Sequence, residues 1–282
     1  MALTTFRFFI FAILLITVYF IVPKRGQWIV LLAASLVFYS MTGIKNSVFI
    51  LITSLTTFFS AKWIDRLAQK CSAFLKENKN ILSREERKAY KTANINRRRA
   101  VLTVTLIINF GILCAFKYLN FFIQQINYFL RAGGTKEIGP VSLIVPLGIS
   151  FYTFTSMGYL IDVYWEKTPH QTNFFKLLLF TSFFPQITQG PISDYRQLSG
   201  QLYGQHSFDY ERFARGVQRF IWGLAKKLAI ADIAAVYVRA LFSDYHSYAG
   251  ITAFIGILIY ALQIYADFSG YMDMMCGLCQ IL

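Results

Sequence analysis

The stretch FFPQITQGPISDY, Phe183 to Tyr195, decides how this chain folds, because it places helix-breaking residues inside an apolar sequence. Pro185 and Pro191 lack the amide hydrogen that a continuing helix needs, and Gly190 forms a turn pair with Pro191. Irregular backbone at membrane depth is tolerated only where protein buries it or water reaches it. We therefore predict a broken helix that lines a cavity, with these candidate wall residues: Pro185, Gln186, Gly190 and Pro191.

The composition is that of a membrane protein. Of 282 residues, 56% are hydrophobic and 15% are charged, and the mean hydropathy is +0.47. Because a soluble domain could not cover so much apolar surface, we predict an all-α polytopic membrane protein, a multi-span helical bundle. The formal net charge of +14 lies mostly in short segments between apolar runs. Positive-inside topology and anionic lipid explain this charge more simply than nucleic acid does.

Apolar runs predict seven spans, at about residues 3–22, 27–41, 47–61, 100–130, 141–164, 228–242 and 251–266. Between the third and fourth lies the basic segment 62–99, with twelve basic and four acidic residues, which we place in the cytoplasm. It contacts lipid headgroups or a partner, or it only fixes topology as a solvated helix, which is the simpler explanation. Ser83 and Glu86 form a capping box, which predicts a helix start near Arg84.

Counting spans outward from the basic segment puts the N-terminus outside the cell. Segment 173–195 is too short to cross the membrane, and basic residues follow it. We therefore predict that it re-enters from the cytoplasmic side, breaks and returns. Segment 207–227 alternates apolar and basic residues with helical spacing, which indicates an interfacial helix.

Few residues suggest reaction chemistry. His170, His206 and His246 all lie outside the apolar runs, where a histidine is usually just solvated. No metal-ligand spacing, nucleophile elbow or phosphate loop is present, so we predict no metal site and no bound cofactor. Asp267 and Asp273 lie within or beside apolar runs, where an ionisable group is a functional candidate. The alternative is that they face water at a helix end or bond to Ser269.

Three ordered blocks resemble those of bacterial membrane-bound O-acyltransferases of the alginate O-acetyltransferase branch. They are FFPQ with GPI in residues 183–192, WGLAKK with AD in 222–232, and DFSGY with DM in 267–274. The segment PLGISFY, residues 146–152, also fits. The resemblance covers essentially the whole chain.

The resemblance implies that residues 1–282 are the N-terminal portion of one such domain, a many-helix bundle with a central funnel in a bacterial cell membrane. It implies transfer of acetyl groups, with acetyl-coenzyme A as donor, from the cytoplasm toward hydroxyls of an exported polysaccharide. A periplasmic or extracellular partner protein would complete the transfer. Asp267 and Ser269 then join the funnel candidates. Arg196, Lys226 and Lys227 become candidates for attracting an anionic donor, although positive-inside topology explains the same charges.

The family's key histidine lies downstream of the DFSGY block, and no histidine of this chain matches it. We therefore assign no catalytic residue. The apolar run at Leu282 has no capping signal, which suggests a truncated chain that is inactive alone. Two alternatives stay open: D-alanyl transfer to teichoic acid, and a transporter or polysaccharide-export subunit, since transporters also contain broken helices.

Overall fold

The computed structural model describes residues 4–41, 43, 47–134, 136–141, 145–187, 190, 193–244 and 250–282. Within that part every regular element is helical: α1 (Phe6–Ile21), α2 (Gln27–Ser40), α3 (Ser47–Glu77), α4 (Arg84–Ala132), α5 (Ile149–Tyr164), α6 (Phe174–Ser182), α7 (Phe184–Ile187), α8 (Tyr195–Leu202), α9 (Tyr210–Ala225), α10 (Asp232–Ser243) and α11 (Ile251–Ile281). A 3-10 turn, Lys24–Gly26, precedes α2, and a π-helical turn, Lys226–Ala231, joins α9 to α10.

The length and hydropathy of the helices are those of a membrane protein. Among the described residues three helices are long and apolar enough to cross a bilayer: Ser47–Glu77, Arg84–Arg131 and Ile251–Ile281. Helix α1 is also apolar but is shorter than these three. The predicted class, an all-α membrane protein, is confirmed.

The chain folds as two compact units. Unit 1 consists of Met1–Ala34, Phe184–Pro191 and Gly204–Leu282, and unit 2 consists of Ser35–Phe183 and Ile192–Tyr203. Helices α1, α7, α9, α10 and α11 therefore belong to unit 1. Helices α3 to α6 and α8 belong to unit 2, and α2 runs from one unit into the other.

Unit 2 is built on a long hairpin of α3 and α4. In its apolar half, Thr105 Oγ1 donates to Ser60 Oγ at 2.7 Å. Near the polar half, Asn94 Nδ2 donates to the carbonyl oxygen of Leu67 at 3.0 Å. Hydroxyl and amide side chains bond across helices in this way where lipid offers no alternative partner.

The basic segment 62–99 is more helical than an open loop. Helix α3 does not end near Ala61, where its apolar run ends, but continues to Glu77. The predicted start at Arg84 is confirmed: Ser83 Oγ accepts from the Glu86 amide at 3.2 Å, and Glu86 Oε2 accepts from the Ser83 amide at 2.8 Å. Only residues 78–83 form the turn, because polar residues continue a helix when two helices pack along their length.

Helix α5 begins at Ile149, later than the predicted start near Val141. The residue before it, Gly148, has a left-handed φ of 67°, which glycine adopts without steric cost. The polar residues Thr153 and Ser156 of α5 are buried, as expected for helix packing. Ser54 of α3 and Thr181 of α6 share a 2.7 Å hydrogen bond between their hydroxyls, which joins α6 to the hairpin.

The connector 165–173 is tied to the hairpin by charged groups. The Arg98 guanidinium bonds the Glu166 carboxylate and the Tyr164 carbonyl, and its side chain is only 7% exposed. Glu166 itself has a left-handed φ of 59°. His170 Nδ1 lies 2.5 Å from Asp65 Oδ2 of α3. The connector is therefore held by the Arg98–Glu166 ion pair and by the hydrogen bond between His170 and Asp65.

Helix α11 also differs from the prediction. Its apolar run was expected to end near Ala266, but one helix continues through the DFSGYMD block to Ile281. The glycine and aspartates of this block pack and pair against neighbouring helices, which makes a continuous helix favourable. Helix α8 was not predicted; its start is marked by the capping residue Asp194.

Candidate functional site

The crossing of α9 and α11 in unit 1 brings two of the sequence blocks together. Helix α9 begins after Asp209, whose carboxylate accepts hydrogen bonds from the amides of Glu211 and Arg212. It ends in the WGLAKK block, and the antiparallel helix α11 carries the DFSGYMDM block opposite it.

Glycines allow this crossing to be unusually close. A Cβ added to Gly223 would lie 2.5 Å from the carbonyl oxygen of Gly270 and 2.6 Å from the amide nitrogen of Met274. One heptad away, a Cβ on Gly216 would lie 2.8 Å from the carbonyl oxygen of Gly277. Real Cβ atoms do not approach backbone so closely, so side-chain-free positions are required on both helices. Small residues permit this kind of backbone contact in membrane helices.

The close approach places cations of the α9 end against carboxylates of α11. Lys226 Nζ lies 2.6 Å from Asp273 Oδ2 and donates to Ser269 Oγ at 3.0 Å. Arg219 Nε donates to the other oxygen of Asp273 at 3.1 Å. Asp273 is thus held by two cations, and its side chain is 18% exposed.

Lys227 makes a second set of ion pairs. Its Nζ binds the Asp267 carboxylate and lies 3.0 Å from Asp232 Oδ1. Lys226 and Lys227 are consecutive, yet both reach carboxylates, because they open the π-helical turn that joins α9 to α10. Such turns are rare and occur frequently at functional sites.

The whole network is formally neutral. Three cations face three carboxylates: Arg219, Lys226 and Lys227 against Asp232, Asp267 and Asp273. Two predicted groups, the funnel candidates Asp267 and Ser269 and the basic candidates Lys226 and Lys227, thus lie in one network. Attraction of an anionic donor stays a prediction. The pairing gives both lysines a second role, which is to hold α9 against α11.

The FFPQITQGP stretch breaks the helix, but earlier than its prolines predict. Helix α6 ends at Ser182, Phe183 is extended with ψ 108°, and α7 starts at Phe184. Pro185 therefore lies in the first turn of α7, where the missing amide hydrogen costs nothing because no intrahelical acceptor awaits it.

The rest of this stretch is partly described. Gly190 donates its amide to the Gln186 carbonyl at 3.1 Å, and a Cβ there would lie 2.3 Å from Gln186 Cα. Only glycine fits that position. Pro191 lies outside the described residues. In unit 1, α7 packs against α11, and Phe184 meets Phe11 of α1 edge to face at 5.4 Å between ring centroids.

Several curated proteins are similar to this chain in sequence, one of them along nearly its whole length. The chain is 32% identical over 270 residues to the probable alginate O-acetylase AlgI of Azotobacter vinelandii, which covers 96% of this chain and 49% of that protein. It is 36% identical over 177 residues to the protein of that name from Pseudomonas syringae, covering 63% and 34%. A peptidoglycan O-acetyltransferase of Helicobacter pylori is 33% identical over 207 residues, covering 64% and 38%.

The chain belongs to the membrane-bound O-acyltransferase family. It spans at most about half the length of these curated relatives. No family model matches this chain, and no solved structure matches it significantly.

The third basic candidate, Arg196, belongs to unit 2. Its guanidinium lies 3.3 Å from Asp194, and its amide donates to the same carboxylate at 2.9 Å. These bonds to the Arg196 amide and guanidinium hold the pKa of Asp194 below its usual range. Arg196 thus stabilises the start of α8, and a role toward a donor stays a prediction.

Two histidines of the chain have partners that sequence reasoning missed. His170 pairs with Asp65, as described above. His206 Nδ1 lies 2.9 Å from Tyr19 Oη, and the Gln27 side chain donates to its carbonyl and accepts from its amide, each at 2.9 Å. Burial, and to a lesser degree the Arg212 charge, lower the pKa of His206. The third histidine, His246, lies outside the described residues.

One sequence signal would have indicated the crossing. Glycines recur at seven-residue spacing on both helices, at 216 and 223 and again at 270 and 277. No comparable signal exists for the histidine partners, because Tyr19 and His206 are 187 residues apart.

Proposed function

We propose that the protein is a membrane-bound O-acetyltransferase that modifies hydroxyls of an exported or cell-surface polysaccharide. One observation carries this proposal: 32% identity over 96% of the chain to a probable alginate O-acetylase. The three sequence blocks that prompted it lie mainly on α7, on α9 with the π-helical turn after it, and on α11. In unit 1, α7 and α9 each pack against α11.

The proposed reaction transfers an acetyl group from the sulfur or oxygen atom of a donor to the oxygen atom of an acceptor hydroxyl. With acetyl-coenzyme A as donor, a hydroxyl oxygen attacks the acetyl carbonyl carbon, a C–O bond forms and the C–S bond breaks. A general base takes the hydroxyl proton, which the leaving thiolate then receives. The first hydroxyl belongs to the polysaccharide or to an extracytoplasmic partner protein. No catalytic residue is assigned within this chain.

In this proposal the residues that the structure describes form part of the wall of the acyl-transfer path. Gln186 and Gly190 shape the turn after the broken helix, and Asp267 and Ser269 lie in the network on α11. The neutral charge balance of that network gives a donor anion little net attraction, so orientation by individual hydrogen bonds is the more favourable use of Lys226 and Lys227. The protein would lie in the bacterial cell membrane with its N-terminus outside.

The test uses the gene in its own organism. Deleting it is expected to abolish base-labile acetate on the exported polysaccharide, measured by proton NMR and by hydroxamate formation. Restoring the gene, or a version with Gly158→Ala, where added atoms meet open space, should restore acetate. Unchanged acetate would overturn the proposal. Loss of D-alanyl esters instead would favour D-alanyl transfer, and loss of polymer export with unchanged acetate per chain would favour a transporter.

A further inference from the structure

The far end of the α3–α4 hairpin carries four cations on one helix face. Arg84, Arg87, Lys88 and Lys91 are spaced i, i+3, i+4 and i+7, so their side chains share one face of α4. We name this group the tip stripe. None of the four makes an ion pair within the described part of the chain. Of the nearby acids, Glu86 is used by the capping box.

The charges of the tip stripe destabilise the helix that carries them. Like charges three and four residues apart destabilise a helix by about 0.2–0.5 kcal/mol per pair. Arg84 and Arg87 also lie in the first turn, where the helix dipole disfavours cations. A stripe with these two costs has no purpose in stabilising its own hairpin, which indicates a role toward something outside the chain.

Distance distinguishes a lipid partner from a soluble one. The apolar part of α4 begins after Arg99, and α4 runs without interruption from there back to Arg84. Fifteen helical steps correspond to about 22 Å. A headgroup layer is about 5–8 Å thick on each side. On a helix that leaves the membrane along its normal, Arg84 and Arg87 would lie about 10–14 Å beyond the headgroups, farther than the Debye length of about 8 Å at physiological salt. Lys88 and Lys91 would lie about 4–9 Å beyond them.

The basic residues nearest the apolar runs, such as Lys62, Arg66 and Arg99, are placed well for lipid and for topology. The outer half of the tip stripe, Arg84 and Arg87, is too far away for either purpose. Beside it, in the turn that precedes α4, Ile81 is 80% exposed. An exposed apolar side chain next to unpaired cations is the combination that binds a protein surface, with an apolar anchor and charges that steer the encounter.

We propose that the tip stripe and Ile81 form the docking surface for a soluble protein with an acidic face. Charge complementarity selects an acidic partner, and the distance of Arg84, Arg87 and Ile81 from the apolar segment favours a soluble protein over the membrane surface. The proposal is independent of the acetyl-transfer activity, and the two fail separately.

The first test measures binding of fluorescent poly-L-glutamate by anisotropy to the protein in nanodiscs of zwitterionic lipid. The tip variant carries Arg84→Gln, Arg87→Gln, Lys88→Gln and Lys91→Gln. The matched control removes four charges near the membrane: Lys62→Gln, Arg66→Gln, Arg97→Gln and Arg99→Gln. We expect at least a tenfold loss of affinity in the tip variant and less than a threefold loss in the control. Equal losses, or no binding by the wild type, would overturn the proposal.

A thermal melt accompanies this test. Because the stripe destabilises its helix, the tip variant is expected to melt at or above the wild-type temperature. A lower Tm would mean that the stripe stabilises the fold, which contradicts the proposal. If the tip variant does not insert into the membrane, the double variant Arg87→Gln with Lys88→Gln replaces it. The double variant should also lose more affinity than the control, by a smaller factor than the full tip variant.

The second test uses a photo-crosslinking residue at position 81 in living cells. We expect adducts with an acidic soluble protein that disappear in the tip variant and persist in the control variant. Adducts with phospholipid alone, or protein adducts that the tip variant leaves unchanged, would overturn the proposal.

Discussion

Gly223 and Gly270 face each other so closely that a single methyl group on Gly223 would lie 2.5 Å from the carbonyl oxygen of its partner. The same contact seen from α11 gives 2.8 Å between a Cβ on Gly270 and the Gly223 oxygen. Because both obstacles are backbone atoms of long helices, neither can rotate away. The helices must separate to accept a side chain, and the ion pairs beside the glycines must then lengthen.

Gly223→Ala is therefore expected to destabilise the protein by about 1–3 kcal/mol, the range of overpacked cores. The matched control is Gly158→Ala in α5, where a Cβ meets nothing within 4 Å. That change should stabilise by up to about 1 kcal/mol, since alanine is the better helix former. Thermal melts in detergent measure both. Similar melting temperatures for the two variants would contradict the close crossing.

The ion pairs between Lys226 and Asp273 are expected to couple in a double-mutant cycle. Lys226→Met should cost about 2 kcal/mol, because it leaves a partly buried carboxylate with Arg219 as its main remaining counter-ion. Lys226→Met combined with Asp273→Leu should cost less than the sum of the single changes, by about 1 kcal/mol or more. Additive losses would show that the two residues do not interact.

His206 is expected to make stability depend on pH. Its pKa is lowered in the folded protein, so the unfolded chain binds the proton more readily. Stability is then fully present above the ordinary histidine pKa of about 6.5 and falls as the pH drops through it. The drop in Tm between pH 7.5 and pH 5.5 should be smaller in His206→Gln than in the wild type. An equal drop would assign the pH dependence to other groups.

Two substitutions at Glu166 separate backbone strain from ion pairing. Glu166 has a φ of 59° and pairs with Arg98, but its own side chain is 63% exposed. An exposed pair contributes at most about 1 kcal/mol, whereas a left-handed backbone costs a non-glycine residue about 1–2 kcal/mol. Glu166→Gly should therefore be about 1 kcal/mol more stable than Glu166→Ala in chemical unfolding. Equal stability would show that φ at this position is relaxed in solution.

Local features were predictable from sequence, and long-range contacts were not. Apolar runs predicted α1, α2 and the apolar half of α4, and the capping box predicted the start at Arg84. These signals depend on residues within one or two helical turns. Helix α3 ran on past its apolar end because its polar half packs along α4, which periodicity alone does not reveal.

The candidate site shows the same division. Asp267, Ser269, Lys226 and Lys227 were identified separately, two as funnel residues and two as donor-attracting cations. Their bonding could not be predicted, because it depends on two helices that meet about forty residues apart in sequence. The π-helical turn that directs both lysines toward α11 has no local sequence signature. Pro185 was expected to break a helix, but it lies in the first turn of one, because a proline is also well accepted in a first helical turn.

The seven-residue glycine repeat has a consequence for how α9 and α11 find each other. Besides the observed register, the glycines allow a displaced register, shifted by one heptad in either direction, in which Gly223 would face Gly277 or Gly216 would face Gly270. The displaced register would carry Lys226 and Lys227 about 10 Å from their carboxylates. The ion pairs therefore select the observed register. The glycine contacts bring the two helices close together but do not fix their relative position along the helix axis.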